Sequence, residues 1–347
     1  MNRGLFAVNH QGVTYQEVAE EELLDNQILI KTEFASIKHG TEFTLFSGKS
    51  PFNNRRFDEN LRLFINSNPD SVEGVFGRFL GNTVVGTVVK TGSAVTQFRL
   101  GDRVYGYAPA YETVVLSQNE ASYLVSPMTE ADAVCIDPAS VAFAAIRDGR
   151  ICLGDNVIVF GLGAIGLFMV QMLRLAGCAN IIAVDMIESR RALAASFGAT
   201  HTLDPATCDV ALATRDLLGN GADIAIEASG SYKALHHAIR SVRKCARVVA
   251  LGYYQGKDSE LELGAEFFHN RLEIICSMPH WENPLRDYPL WDEKRLLQTV
   301  QTMFLDRRLN SQGVINPVVS FEAAAQTFLD LYENPSAGLK MGIRFPS

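Results

Sequence analysis

Residues 161–166 read Gly-Leu-Gly-Ala-Ile-Gly, a G-x-G-x-x-G motif of the kind that holds phosphate groups. An apolar, β-branched run precedes it at 157–160, and residues 167–175 continue with helical spacing. A second apolar run, at 181–184, leads into Asp185, which lies 19 residues after the last glycine (185 − 166). This order of strand, glycine turn, helix, strand and acid is typical of a dinucleotide-binding site.

Each glycine of the motif has its own physical role. Gly161 allows the sharp turn, Gly163 lets the backbone approach a pyrophosphate, and Gly166 lets the helix pack close to the strand. The helix N-terminus then offers unpaired N–H groups and a positive dipole end to the phosphates. The alternative is a tight strand-to-helix turn in some other doubly wound fold. The predicted cofactor contacts are Gly161, Leu162, Gly163, Ala164, Ile165, Gly166, Asp185, Arg190 and Gly252.

Asp185 bears on the choice between the two nicotinamide dinucleotides. Its carboxylate would accept hydrogen bonds from both ribose hydroxyls and would repel a 2′-phosphate, so NAD is favoured over NADP. Arg190 lies five residues further on (190 − 185), where it could cover the adenine face. Arg190 and Arg191 are the features that could still admit NADP.

The sequence before this motif is mostly β in character. Runs at 27–32, 84–92, 101–106 and 112–116 are separated by turn residues and predict a small barrel-like β domain. Residues 51–79 interrupt the pattern and predict an insertion or a long loop with a short helix.

From about residue 150 the pattern changes to alternating strand and helix. Further strands at 224–226, 247–252 and 272–276 give about six parallel strands with helices between them. After residue 279 the pattern predicts two more helices and a last strand, near 293–305, 322–332 and 341–345.

Composition excludes several classes of protein. The chain has 347 residues, of which 47% are hydrophobic and 20% charged, as in a soluble protein with two domain cores. Its net charge of −8 argues against nucleic acid or an anionic membrane as a general partner. No run resembles a signal peptide or a membrane span. The six cysteines are scattered without a C-x-x-C pair, which predicts neither disulfides nor structural zinc and fits the cytoplasm.

Five further motifs accompany the glycine turn. They are Lys38-His39-Gly40-Thr41-Glu42, Leu80-Gly81-Asn82, Gly101-Asp102-Arg103-Val104, Asp137-Pro138 and Gly338-Leu339-Lys340-Met341-Gly342. Together they resemble the medium-chain dehydrogenase/reductase superfamily, in its zinc-type alcohol dehydrogenase-like branch, over nearly the whole chain. The resemblance implies an α/β fold in which a Rossmann doubly wound parallel sheet is inserted in a GroES-like β-rich catalytic domain. The implied NAD-binding domain is 150–284, and the catalytic domain is 1–149 with 285–347.

A second set of motifs narrows the resemblance. These are Lys38-His39, Gly81-Asn82, Cys135-Ile136-Asp137-Pro138, Asn283-Pro284, Asp287-Tyr288-Pro289 and Trp291. They are similar to a subgroup of sugar-catabolic dehydrogenases that oxidise the C3 hydroxyl of glycosides, D-gulosides among them. The resemblance implies an NAD-dependent oxidoreductase that converts a secondary hydroxyl of a sugar, glycoside or polyol to a ketone. It also implies a homodimer or homotetramer, with strand 272–276 at a sheet edge where subunits pair.

The chain departs from the zinc-binding pattern of this family. Zinc-dependent members have a cysteine where this chain has His39, a Gly-His-Glu triplet where it has Gly81-Asn82-Thr83, and often a cysteine or glutamate where it has Asp137. His39 and Asp137 could bind zinc, whereas Asn82 is a poor ligand, and a catalytic zinc needs three protein ligands. Glu42 is a candidate third ligand. We therefore expect zinc-free operation, with a zinc-dependent polyol or alcohol dehydrogenase as the alternative.

Without zinc, a side chain must take the hydroxyl proton while hydride passes to NAD. The resemblance places this chemistry at Lys38, His39 and Asp137. Either Lys38 or His39 is the expected base, and Asp137 would orient or polarise it. Glu42 is expected behind these groups, and Asn82 is expected to bind substrate or cofactor.

Simpler structural interpretations of these residues stay open. Asp137 is also a good helix N-cap before Pro138, and Glu42 a good first-turn helix acid. The aromatic residues within 280–291 could stack on a sugar ring or pack in a hinge between domains. Two other functions are an NADPH-dependent quinone or enoyl reductase, against which Asp185 speaks, and a nucleotide-binding protein without catalysis.

Overall fold

The chain forms two compact units, one made of Met1–Val134 with Ile315–Ser347 and the other of Cys135–Val314. A computed structural model describes residues 2–9, 12–19, 22–48, 50, 55–66, 78–254, 261–278 and 286–346. The predicted domain boundaries, at 149/150 and 284/285, differ from the boundaries of these units. The reason is that the helix at 136–149 packs on the helix at 164–175 of the second unit, and the helix at 293–305 packs on the helix at 136–149.

The N-terminal part of the first unit is mostly β-structure, as its alternating runs predict. Its elements are β1 (Asn2–Asn9), β2 (Gly12–Val18), β3 (Gln27–Ser36), α1 (His39–Phe46), β4 (Arg55–Asp58), β5 (Leu63–Asn66), β6 (Arg78–Phe79), β7 (Thr83–Thr91), β8 (Arg103–Tyr107), β9 (Thr113–Ser117), β10 (Ser122–Tyr123) and α2 (Glu130–Ala133). Strands β4 and β5 form a hairpin where a loop or short helix was expected, because Phe57 and Phe64 pair across it. Residues 51–54 and 67–77 lie outside the described residues.

The second unit alternates strands and helices, also as predicted. Its elements are α3 (Ile136–Gly149), β11 (Asn156–Phe160), α4 (Ala164–Leu175), β12 (Asn180–Val184), α5 (Glu188–Phe197), β13 (His201–Leu203), α6 (Val210–Leu218), β14 (Ala222–Glu227), α7 (Tyr232–Ser241), β15 (Val242–Ala250), β16 (Glu273–Cys276) and α8 (Glu293–Leu305). In the part of the chain that the structure describes, no helix combines the length and the apolar character that crossing a bilayer requires.

The C-terminal segment returns to the first unit and completes its main sheet. It contains β17 (Ile315–Ser320), α9 (Ala324–Glu333) and β18 (Lys340–Arg344). The sheet has the order β10-β8-β7-β3-β18-β17, with β9 also pairing with β3. Strand β18 runs antiparallel to β3 and parallel to β17. The last strand of the chain thus lies beside one of the first.

The second unit is built on a six-stranded parallel sheet of order β13-β12-β11-β14-β15-β16. Val157, Ile158 and Val159 of β11 are fully buried, as expected for a strand with helices over both faces. The chain runs outward from β11 to β13 and then restarts on the other side of β11 with β14. Parallel sheets bind ligands at the carboxyl ends of their strands beside such a switch point. The predicted doubly wound sheet is confirmed, and it directs attention to the ends of β11, β12 and β14.

Candidate functional site

The glycine motif forms a tight turn between β11 and α4. Gly161 has a φ of +88°, and a Cβ there would lie 2.8 Å from the Ser229 nitrogen. A Cβ on Gly166 would lie 2.0 Å from the Gly161 oxygen, so the first turn of α4 packs directly on the glycine turn. A Cβ on Gly163 would meet no atom within 4 Å. Gly161 and Gly166 are therefore required by the fold, whereas Gly163 borders open space.

The N-terminus of α4 is suited to an anion. Gly163 precedes the helix and provides no side-chain cap, and the first turn, which begins with Ala164 and Ile165, carries no acidic residue. The unpaired N–H groups of a first helical turn and the positive dipole end attract phosphate groups. This end of the sheet fits the pyrophosphate of a dinucleotide.

Asp185 follows β12 and is fixed against the glycine turn. One carboxylate oxygen accepts a hydrogen bond of 2.8 Å from the Leu162 backbone N–H, and the other accepts one of 2.9 Å from Ile187 N–H. The carboxylate therefore has a defined orientation at the carboxyl end of the sheet. Arg190 is largely buried, and this burial lowers its pKa while the charge of Asp185 opposes the shift.

Glu227, at the end of β14, is a buried acid that the sequence did not single out as a site residue. Its carboxylate accepts hydrogen bonds from the Ser229 N–H (2.7 Å), the Ser229 hydroxyl, the Gly230 N–H (3.1 Å) and the Tyr254 hydroxyl (2.5 Å). Its main-chain oxygen accepts a hydrogen bond of 3.0 Å from Gly252 N–H. Burial raises the pKa of Glu227, and the hydrogen bonds from Ser229 and Tyr254 oppose that shift.

This network joins the loops that follow β14 and β15, next to the glycine turn. A sequence signal for it existed, since an acid directly follows the apolar strand residues 224–226 and precedes Ser229 and Gly230. At the carboxyl end of a parallel strand, such an acid belongs to the ligand-binding edge of the sheet.

In the first unit, residues 38–42 form the candidate catalytic segment, and Glu42 is its buried acid. It is 7% exposed and lies in the first turn of α1, as the simpler interpretation predicted. Its two oxygens accept backbone hydrogen bonds from Lys38 N–H (2.5 Å) and Gly81 N–H (2.7 Å). Burial raises the pKa of Glu42, and those hydrogen bonds and the charges of Lys340 and Arg78 oppose the shift.

His39 is held by the C-terminal strand. Its Nδ1 lies 2.7 Å from the Leu339 main-chain oxygen, and its Nε2 lies 3.3 Å from the Met341 nitrogen. The Leu339 oxygen needs a hydrogen-bond donor, and the Met341 N–H needs an acceptor. The ring of His39 is therefore the neutral tautomer with its proton on Nδ1. The ring also stacks on Phe43, with centroids 4.7 Å apart. In this arrangement both ring nitrogens are bonded to the backbone.

Asn82 and Lys340 complete this part of the first unit. The Asn82 amide group donates to the Thr83 hydroxyl at 3.1 Å, and its backbone N–H donates to Ser36 O at 2.9 Å. Lys340 is buried, and its ammonium group donates to Ile37 O at 2.6 Å. Four of the five predicted catalytic residues are thus neighbours in one hydrogen-bonded region. They are Lys38, His39, Glu42 and Asn82.

Asp137, the fifth predicted catalytic residue, belongs to the second unit. It is 3% exposed and lies in the first turn of α3. The helix begins at Ile136, after Cys135, so Asp137 is inside the helix and the interpretation as its N-cap is wrong.

Trp291 does not offer a free face to a sugar. The guanidinium carbons of Arg147 and Arg295 lie 4.0 and 4.1 Å from its ring centroid. Two guanidinium groups at this distance cannot share one face, so they cover both faces by cation–π contact. Arg147 also donates a hydrogen bond to Asp287. The packing interpretation is therefore the correct one for Trp291, while Trp281 and residues 280–285 lie outside the described part of the chain.

In the described part of the chain, the donor atoms of His39, Glu42 and Asn82 do not fit a catalytic zinc ion. The free lone pair of His39 accepts Met341 N–H, both Glu42 oxygens accept backbone N–H groups, and Asn82 is an amide. Within the described residues, no group of three or more His, Cys, Asp or Glu side chains could hold one metal ion.

Comparison with known proteins identifies the family. A family model described as zinc-binding dehydrogenase matches residues 164–282. The D-guloside 3-dehydrogenase of Escherichia coli K12 is 35% identical over 95% of this chain and 96% of its own length. A probable D-xylulose reductase A of Aspergillus terreus is 26% identical over 73% of this chain and 78% of its own. The crystal structure of 2R,3R-butanediol dehydrogenase from Bacillus subtilis superposes with a TM-score of 0.78 at 18% identity, over 100% of both chains.

The chain belongs to the zinc-type branch of the medium-chain dehydrogenases, and it is therefore an oxidoreductase. The predicted family and fold class are both confirmed. The description of the family as zinc-binding gives no support to the expectation that this chain works without zinc.

A substitution at Gly163 separates cofactor binding from folding. Gly163→Ala is expected to leave the thermal unfolding midpoint unchanged, because its Cβ meets no atom, while raising the NADH dissociation constant at least about tenfold by obstructing the pyrophosphate. Cofactor fluorescence titration and thermal unfolding measure the two quantities. Gly166→Ala is the contrasting variant, expected to lower the midpoint because its Cβ meets the Gly161 oxygen. Wild-type affinity in Gly163→Ala would place the pyrophosphate elsewhere.

Glu42 gives the folding stability a pH dependence of defined sign. Because burial raises its folded pKa above the ordinary 4.5, its stability contribution is greatest below that pH and is lost as the pH rises through the folded pKa. Glu42→Gln stays neutral throughout. The unfolding free energy of wild type minus that of the variant should therefore decrease between about pH 4 and about pH 8 in urea titrations. A difference that increases with pH would contradict the raised pKa.

Proposed function

We propose that this oxidoreductase uses NAD to convert a secondary hydroxyl of a sugar, glycoside or polyol to a ketone. The observation that carries the proposal is the Asp185 carboxylate, fixed on the glycine turn by the backbone of Leu162 and Ile187. A carboxylate held there suits the two hydroxyls of an adenosine ribose and disfavours a 2′-phosphate. The substrate class is supported by the relationship to D-guloside 3-dehydrogenase, which extends over nearly the whole chain.

Lys38 is the base in this proposal. Both ring nitrogens of His39 are bonded to the C-terminal segment, so the imidazole has no lone pair with which to take a proton. Lys38 begins the same motif, and its backbone is held by Glu42. The Lys38 amine would accept the hydroxyl proton while the C–H hydrogen leaves as hydride to the nicotinamide. The substrate loses a hydride, which the cofactor gains, and one proton, which the base takes, and no other reactant is needed.

Asp137 and Asn82 are proposed to assist this transfer. Asp137, a nearly fully buried carboxyl group in the first turn of α3, is proposed to orient or polarise the base. Asn82 has a partly exposed amide that can bind a substrate hydroxyl or the cofactor. Glu42, with both oxygens occupied, would position Lys38 without touching the substrate.

The proposal also includes the assembly and the location of the protein. Strand β16 is at the end of the parallel sheet, where Ile274 and Ile275 are partly exposed. An edge strand with free backbone groups is a natural site for pairing with a second copy. We propose a homodimer or homotetramer in the cytoplasm.

Turnover of a substrate panel tests both the reaction and its base. With NAD and a series of glycosides and polyols, reduced cofactor should accumulate for at least one compound. Lys38→Ala should then lower kcat by about 10²- to 10⁴-fold and leave the NADH dissociation constant unchanged, because only proton transfer is lost. His39→Gln is the matched variant, expected to keep most of kcat.

A large loss of kcat in His39→Gln, together with a nearly unchanged kcat in Lys38→Ala, would make His39 the base. A folded wild-type protein that binds NAD but oxidises none of the compounds would overturn the reaction proposed for it.

A zinc-dependent polyol dehydrogenase is the second candidate function, favoured by the description of the matching family as zinc-binding. We propose the zinc-free reaction because the donor atoms of His39, Glu42 and Asn82 are bonded elsewhere or chemically unsuited. Elemental analysis of the purified protein should therefore give less than one zinc per chain, and activity should survive prolonged chelation. One zinc per chain, lost together with activity and restored with it, would establish the second candidate instead.

A further inference from the structure

Arg191 lies close to Asp185, and its guanidinium group is bonded to other groups of the protein. Its Nη1 donates a hydrogen bond of 2.7 Å to the main-chain oxygen of Asp185. The same nitrogen lies 3.1 Å from a carboxylate oxygen of Asp204. The side chains of Arg191 and Asp204 are 17% and 20% exposed, so this ion pair is shielded from water and salt more than a surface pair.

Asp204 has a defined place at the same edge of the sheet as Asp185. Strands β12 and β13 are parallel and pair Val184 with Leu203, so the residues that follow them are equivalent in register. The other carboxylate oxygen of Asp204 accepts a hydrogen bond of 2.9 Å from Ala206 N–H. Asp204 is thus a second carboxylate beside Asp185, fixed by the turn that follows β13.

This arrangement bears on which dinucleotide the site accepts. A 2′-phosphate on the adenosine ribose carries two negative charges, and proteins that bind it provide an arginine beside the ribose. Arg191 is a guanidinium next to Asp185, and the Asp204 carboxylate occupies it. Removing the Asp185 charge alone would end the repulsion of the phosphate without providing a partner for it.

We propose that Asp204 is a specificity-determining residue, which withholds Arg191 from the cofactor and so reinforces the selection of NAD by Asp185. The inference rests on the proposed NAD dependence. Asp204 acts through Arg191 and does not itself contact the dinucleotide. In this proposal two carboxylates select NAD, and each directly follows one of two neighbouring strands. Asp185 repels the 2′-phosphate, and Asp204 neutralises Arg191, the cation that would bind it.

Asp185→Asn provides the background for the experiment, because it removes the charge and keeps an oxygen for Leu162 N–H or Ile187 N–H. Adding Asp204→Asn keeps the oxygen that accepts Ala206 N–H and removes the charge that pairs with Arg191, whose hydrogen bond to the Asp185 main-chain oxygen is kept. Dissociation constants for NADH and NADPH are measured by fluorescence of the bound reduced cofactor at low and high salt. Adding Asp204→Asn should tighten NADPH about tenfold and change NADH less than about twofold, and high salt should reduce the gain.

Arg191→Gln, added as a third substitution, is the control and should abolish the gain. An NADPH affinity equal to that of Asp185→Asn alone, or a gain that persists without Arg191, would overturn the inference. Unchanged NADH binding shows that the variants are folded, and Asp204→Ser replaces Asp204→Asn if the latter does not fold. A wild-type protein that binds neither cofactor, or prefers NADPH, would overturn the proposed function and this inference together. Wild-type preference for NADH with no effect of Asp204→Asn overturns the inference alone.

Discussion

The buried carboxylate of Glu42 is the constraint on which the candidate catalytic segment depends. Burying a carboxylate is costly unless hydrogen bonds or opposite charges compensate it. Here the compensation comes from the N–H groups of Lys38 and Gly81 and from the charge of Lys340, which itself donates to Ile37 O. Three segments that are distant in sequence are thereby fixed together, with Lys38 at their junction.

The second unit has a similar arrangement at Glu227, where a buried carboxylate joins two loops beside the glycine turn. In both units an acid bonded to backbone N–H groups shapes the place where the reaction or the cofactor is expected.

Much of the second unit could be predicted from sequence because its signals are local. The apolar runs at 157–160 and 181–184 became β11 and β12, and the predicted helix at 293–305 coincides with α8. The unit boundaries could not be predicted in this way. Helix α3 joins the second unit by packing on α4, and α8 joins it by packing on α3. Packing between separate helices leaves no periodic signal in either sequence that tells which helices will meet.

The candidate site likewise has a part that a short segment of sequence predicts and a part that depends on distant contacts. The glycine turn and Asp185 were predictable because one short segment contains the whole motif. The state of His39 was not, because it depends on backbone atoms of Leu339 and Met341, about three hundred residues away. The ring of Trp291 suggested a sugar platform from composition alone. Of the two guanidinium groups that cover it, Arg295 is a near neighbour in sequence, whereas Arg147 comes from a distant position on α3. Residue type indicates which chemistry is available, and only the tertiary contacts determine whether its atoms are free to perform it.

The position of β18 between β3 and β17 has a consequence for how the protein is made. On the ribosome, residues 135–314 are synthesised before Lys340–Arg344. The second unit can therefore begin to fold while the first unit still lacks a central strand, which differs from the usual N-terminal-first order of domain folding. Until β18 arrives, one edge of β3 is open and able to pair with another nascent chain. This edge of β3 is therefore the part of the main sheet that stays open to unwanted strand pairing until the chain is nearly finished.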